Sequence, residues 1–151
     1  METTIFKMSG LAYIIAGIIM TFSLSSLSSC ATKKTSFLAS SVAPAAQGTV
    51  TVKQDDNKNY VIKVELSNLA PSTRLSPPMN AYIVWMEASD NSTKNLGQLN
   101  TSEKFMSKDL KASFETVSGT KPVKIFITAE NEVNAQYPDL SRVVLTTDYL
   151  K

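Results

Sequence analysis

Four groups of residues have types and spacings that chemistry could use. Asp55, Asn57 and Asn59 stand at the first, third and fifth places of a calcium-loop pattern, where alternate oxygen ligands let one loop wrap a hard cation. The pattern then fails. Tyr60 takes the place of the glycine that turns such a loop, and Leu66 that of the bidentate glutamate. Asp and Asn side chains also bond their own backbone in tight turns, so the cluster is read as a hairpin turn. Ser118-Gly119-Thr120-Lys121 matches the Ser-x-x-Lys string of penicillin-interacting enzymes. That chemistry needs the serine at a helix start with the lysine one turn on. Here Pro122 follows at once, and the string reads as a glycine turn between strands.

Glu87, Glu130 and Glu132 are the candidates for a carboxylate pair of the kind that hydrolyses glycosides, which depends on a fixed separation. Isolated glutamates at strand ends are solvated as a rule, and no pairing is expected. Tyr82, Trp85 and Phe126 are large rings of the type that stack on a sugar or peptide. In a small β domain such rings dominate the core, and burial is the expectation. Trp85 and Tyr82 remain the candidate binding residues should their rings face solvent. Asn91-Ser92-Thr93 and Asn100-Thr101-Ser102 match the glycosylation string by pattern alone.

The chain has no histidine and one cysteine, Cys30. It therefore lacks the commonest neutral-pH base and metal ligand, and it excludes an internal disulfide or a thiolate cluster. With no glycine-rich phosphate loop either, no cofactor, metal or enzymatic activity is expected. Net charge is +2, and only Arg74 and Arg142 among the 15 basic residues are arginines. Nucleic-acid binders gather positive charge on one face, often through arginine, so nucleic acid is not an expected partner.

The position of the single cysteine is informative. Met1–Lys7 carries one lysine, Leu11–Phe22 is a twelve-residue apolar run, and Ser23–Ser29 is small and polar apart from two leucines. A basic start, an apolar middle and a small-residue end make an export signal, too short in its apolar part to span a bilayer comfortably. The segment closes with Leu27-Ser28-Ser29-Cys30. This resembles the lipobox of bacterial lipoproteins. The resemblance implies a signal peptide over 1–29, cleavage before Cys30, and a diacylglycerol thioether on that residue as the membrane anchor. Ala31 stands where an aspartate would retain a lipoprotein at the inner membrane, so the resemblance implies the outer membrane, facing the periplasm.

Residues 30–47 are rich in Ala, Ser, Thr and Lys without a sustained period, and are expected to be the lipidated cysteine and a flexible tether. Residues 48–151 are expected to form one domain of ordinary composition. Val50 and Val52 alternate with polar residues, and after the Asp55–Asn59 turn Tyr60, Ile62, Val64 and Leu66 share one face; the two runs predict an antiparallel hairpin. Pro71, Pro77 and Pro78 exclude a helix or central strand over Ser67–Asn80. Ala81–Glu87 predicts a strand covered on both faces, Asn95–Asn100 a short strand, Phe114–Val117 an extended run, Val123–Ala129 the clearest strand, and Arg142–Thr147 the last. Thr101–Leu110 is compatible with a helical turn or an edge strand. About seven strands at this spacing predict an all-β, immunoglobulin-like antiparallel β-sandwich.

Tyr82-Ile83-Val84-Trp85, Leu96-Gly97-Gln98-Leu99 and Ile127-Thr128-Ala129-Glu130 with Pro138 downstream resemble the extracytoplasmic domain of some bacterial anti-sigma factors. The resemblance implies a small β-sandwich without catalytic residues. It does not extend to the sigma-binding domain or the spanning helix of that family. The function expected is a membrane-anchored envelope module that binds another envelope protein or serves structurally. The alternative is a carbohydrate or small-ligand binder working through an exposed aromatic.

Overall fold

The computed structural model describes residues 32–101 and 110–150. They form an all-β fold of eight strands: β1 (Lys33–Ser36), β2 (Gln47–Gln54), β3 (Tyr60–Ser67), β4 (Ala81–Ala88), β5 (Thr93–Thr101), β6 (Lys111–Ser118), β7 (Pro122–Glu130) and β8 (Val143–Thr146). The helical content is two 3₁₀ turns, Ser72–Arg74 and Leu140–Arg142. Among the described residues no helix is long and apolar enough to cross a membrane. The signal segment and Cys30 lie outside the described residues, as does the ambiguous stretch 102–109.

All eight strands belong to one antiparallel sheet in the order β1-β2-β3-β6-β5-β4-β7-β8, and the sheet curls on itself. Its outermost strands come back together. Phe37, just past β1, bridges Thr147, just past β8, and the Leu38 amide donates to the Thr146 carbonyl at 2.8 Å. Among the described residues β5 joins β6 through Asn100↔Ser113 and Thr101↔Ala112, whereas β3 pairs β6 along its whole length.

The expected hairpin is present, with Val50 opposite Val64 and Val52 opposite Ile62. Alternation sorts its side chains: Ile62, Val64 and Leu66 are buried, and Lys63 and Glu65 between them are exposed. Strand β4 is buried on both faces, as its unbroken apolar run demands. Tyr82, Val84 and Met86 enter the main core with Ile125 and Ile127 of β7. Ala81, Ile83 and Trp85 turn the other way and form a second cluster with Phe126.

Two expectations are revised. The stretch 30–47 is not all tether. Lys33–Ser36 pairs with Thr49–Val52, Phe37 packs on the core, and Ala46 is buried. Main-chain pairing and one aromatic recruit a segment whose side chains show no strand pattern, which raises the strand number from seven to eight. The proline-rich crossing, expected to exclude a helix, holds one 3₁₀ turn, Ser72–Arg74, and packs on the core. Leu69 and Met79 are buried, and the Tyr82 hydroxyl donates to the Ala70 carbonyl at 2.8 Å.

Candidate functional site

The turn clusters are satisfied by their own backbones. Asp55 Oδ1 accepts the amides of Asn57 and Asn59 at 2.9 and 2.8 Å, and Asn59 Nδ2 reaches Asp55 Oδ2 at 3.3 Å. This is an Asx-type hairpin turn, with Lys58 at φ 65° closing it. Ser118 Oγ sits between the amide and the carbonyl of Thr120, at 3.1 and 3.0 Å, so the Ser-x-x-Lys string is a turn too. Among the described residues, no group of three or more potential ligands is placed to hold a metal.

Glu87 is not brought to Glu130. Glu130 is paired with Ala81 at one end of β4, and Glu87 with Lys124 at the other. Six residues of strand separate them, roughly 20 Å, against about 5–9.5 Å for the carboxyl pairs of glycosidases. Glu130 instead is buried. Its Oε1 accepts the Thr128 hydroxyl at 2.6 Å and the Asp139 amide at 2.9 Å.

The aromatic candidates are core residues. Trp85 is 0% and Tyr82 1% exposed, and neither ring has a face open to a ligand. Burial is what the sequence led us to expect of these rings, and the condition under which Trp85 or Tyr82 would bind, a ring facing solvent, is not met. Trp85 lies stacked against Phe126, with centroids 6.4 Å apart and planes at 12°. Its Nε1 donates to Thr128 Oγ1 at 2.8 Å. Segment 131–142 lies over this face: Ala135 packs on the rings, and Asn95 Nδ2 donates to the carbonyls of Val133 and Ala135 at 3.3 and 2.9 Å. Burial pushes the Tyr82 phenol up to about 12.

Sequence reading missed the parts played by Thr128 and Asn95. Strand alternation already set Phe126, Thr128 and Glu130 on one face of β7, but only the pairing of β7 with β4 shows that Trp85 shares that face.

What remains open is a groove of about 1190 Å³ running across one end of the sheet. Its sides are the exit of β1 with Phe37, Leu38 and Ala39, the entry of β2 with Gln47, Gly48 and Thr49, the end of β3, and the start of β6 with Lys111, Ala112 and Ser113. The lining is mixed, with Phe37, Leu38, Ala39, Pro44, Ala46 and Leu66 supplying most of its apolar part among small polar residues. Its charged members are Glu65 and Lys111. The Glu65 carboxylate is held below its ordinary range by its hydrogen bond and charge pairing with Lys63, whose Nζ lies 2.8 Å away. Leu38 stands half exposed at the lip.

Gly48 is needed here. A Cβ at that position would lie 2.2 Å from Leu66 Cδ2 and 2.5 Å from the Glu65 carbonyl oxygen. Its own carbonyl accepts the Phe37 amide at 3.0 Å, which draws the β1 exit against the groove wall.

Comparison with protein-family models, with curated proteins and with solved structures returns no match.

Proposed function

We propose that this chain is a bacterial envelope lipoprotein, cut before Cys30, anchored by acylated Cys30 in the outer membrane and facing the periplasm. Its β module then acts without catalysis, binding another envelope component. The observation that carries the binding part is the groove across the ends of β1, β2, β3 and β6. A near-neutral trough of mixed apolar and small polar lining suits an extended polypeptide segment. Such segments bind largely through main-chain hydrogen bonds, with side chains set into shallow pockets.

The finer architecture we propose is sandwich-like. Among the described residues two pairs join β5 to β6, so β1-β2-β3-β6 and β5-β4-β7-β8 act as two layers over one core. The anti-sigma resemblance bears on the fold in the same way. Trp85, Thr128 and Glu130, which help to carry it, are joined in one buried hydrogen-bonded chain.

The test is in-cell photo-crosslinking from Ser113, an exposed residue of the groove, with Gln98 as an exposed site outside it. A defined polypeptide adduct from position 113, lost on Thr49→Arg and absent from position 98, supports the reading. Adducts of equal yield at both positions, or none at either, remove the groove as the binding site. Capture of glycan strands alone would assign the groove to carbohydrate.

A further inference from the structure

Strand register gives the module two distinct ends. Lys33 pairs with Val52, and the rows beyond it, Lys53↔Val61↔Val117 and Gln54↔Tyr60↔Ser118, lead into the Asp55–Asn59 and Ser118–Lys121 turns. The Ser89 amide donates to the Lys121 carbonyl and the Leu150 amide to Val123, so the β4–β5 turn and the end of the chain lie at this same end. The groove is at the other end, reached through Ser36↔Thr49 and Asn100↔Ser113. Eight-residue strands separate the two ends by roughly 25 Å.

Only Ala31 and Thr32 stand between Cys30 and the first residue of β1. Three residues of chain reach at most about 11 Å. An acyl group on Cys30 would thus hold the Lys33 end close to the lipid surface, with no room for a long tether.

The composition of that end fits such a surface. Lys33, Lys34, Lys53, Lys58 and Lys121 are all exposed. Lys94 donates to Thr120 Oγ1 at 2.9 Å, and Lys124 Nζ lies 5.6 Å from the centre of the Tyr149 ring. Lys34 shares its row with Thr51, Lys63 and Glu115, and with that row counted eight lysines face six acids there among the described residues: Asp55, Asp56, Glu87, Asp90, Glu115 and Asp148. Three of these carboxylates accept amide hydrogens of their own turns, through Asn57 and Asn59, Ser92, and Tyr149. Among the described residues Arg74, Lys111 and Arg142 at the groove end stand against Glu65, Glu130, Glu132 and Asp139, so that end carries no positive excess. Tyr149 and Val117 are 60% and 58% exposed at the lysine end. A tyrosine among lysines is the mixture that settles at headgroup depth, with the ring partly in apolar surroundings and the cations on phosphates.

We infer that the Lys33 end of the module lies against an anionic phospholipid surface, presenting the groove outward into the periplasm. The inference rests on the anchor reading above and adds to it the face and the lipid.

The experiment uses the full lipidated protein in phosphatidylcholine vesicles with and without phosphatidylglycerol. Because Cys30 is the only cysteine and would be acylated, an introduced cysteine is the single free thiol. Asn57→Cys, in the lysine-end turn, and Tyr137→Cys, on the groove-end loop, both replace exposed residues, and both receive the same fluorophore. A quencher is carried on the lipid headgroups. Quenching should be roughly fivefold stronger at position 57 than at 137 when phosphatidylglycerol is present, and the contrast should shrink in high salt as the phosphates are screened.

Protein that floats with the vesicles but is quenched equally at both positions keeps the anchor and overturns the docking. A contrast indifferent to both phosphatidylglycerol and salt overturns the headgroup assignment. Protein that fails to float overturns the anchor reading and the docking with it.

Discussion

One hydroxyl ties Trp85 to Glu130: Thr128 Oγ1 accepts the indole N–H at 2.8 Å and donates to Glu130 Oε1 at 2.6 Å. The same carboxylate oxygen takes the Asp139 amide. The chain thus runs from the ring layer to segment 131–142, which covers it. Thr128→Val would strand both the indole donor and the carboxylate acceptor in a buried place. The expected cost is about 1–3 kcal/mol, read as a lower urea midpoint with an unchanged slope. Trp85 fluorescence should change in the same variant, because the indole loses its acceptor. A midpoint within error of the parent would mean that the chain of bonds contributes nothing net.

Glycine positions offer a graded comparison. Gly97 sits at φ +136°, where a Cβ would also lie 3.2 Å from the Phe114 ring. Gly97→Ala should cost about 1–3 kcal/mol through backbone strain. Gly48→Ala should cost about as much by overpacking β2 against the β3 backbone. Gly119 has only Asn59 Oδ1, at 3.9 Å, near its absent Cβ, so Gly119→Ala should stay within about 0.5 kcal/mol. Chemical denaturation of the three variants checks the order, and an equal loss at Gly119 would contradict it.

Acid should destabilise the fold through its turns. The Ser141 hydroxyl and amide, with the Arg142 guanidinium paired to the same carboxylate at 3.1 Å, hold the Asp139 carboxyl below the ordinary aspartate value of 3.8. The Ser92 hydroxyl and amide do the same for Asp90. Unfolding releases both groups to that ordinary value, so on acidification the unfolded chain takes up protons first. The contribution is therefore complete above about pH 4 and is lost as pH falls through the lower native values. The urea midpoint should fall on acidification below about pH 4, and Asp139→Asn should lessen that fall. A midpoint that rises on acidification would reverse the sign of the argument.

Processing makes the most direct prediction about the N-terminus. If Leu27-Ser28-Ser29-Cys30 is read by the lipoprotein machinery, Cys30→Ala abolishes incorporation of labelled fatty acid and leaves a precursor 29 residues longer than the mature chain. Metabolic labelling followed by gel mobility checks both outcomes together. Normal maturation of the variant would sink the anchor and every orientation argued from it.

Much of the fold was legible because strand alternation and turn chemistry are local. Tyr60–Leu66 shows its buried face in its own spacing, Asp55–Asn59 carries a side chain that closes its own turn, and Val123–Ala129 is apolar enough to demand cover on both sides. The lipobox is also a linear pattern, readable without any fold. Strand order was not legible, since nothing in β6 says that it pairs with β3 or that β5 meets it over two residues. Nor was β1, whose Lys-Lys-Thr-Ser has no apolar period and becomes a strand because the edge of β2 offers it main-chain partners.

The candidate site divides in the same way. Sequence alone determined that the chain is β-rich, that its chemical groups are sparse, and that Cys30 closes a lipobox-like segment, because each depends on composition or near neighbours. Only the tertiary structure decided that Trp85 is sealed beneath segment 131–142, that Thr128 and Glu130 serve it from 43 and 45 positions away in the chain, and that a groove opens opposite the Lys33 end. Those facts depend on which strands meet across long loops. That choice minimises exposed apolar surface over the whole molecule, and no short stretch of residues contains it.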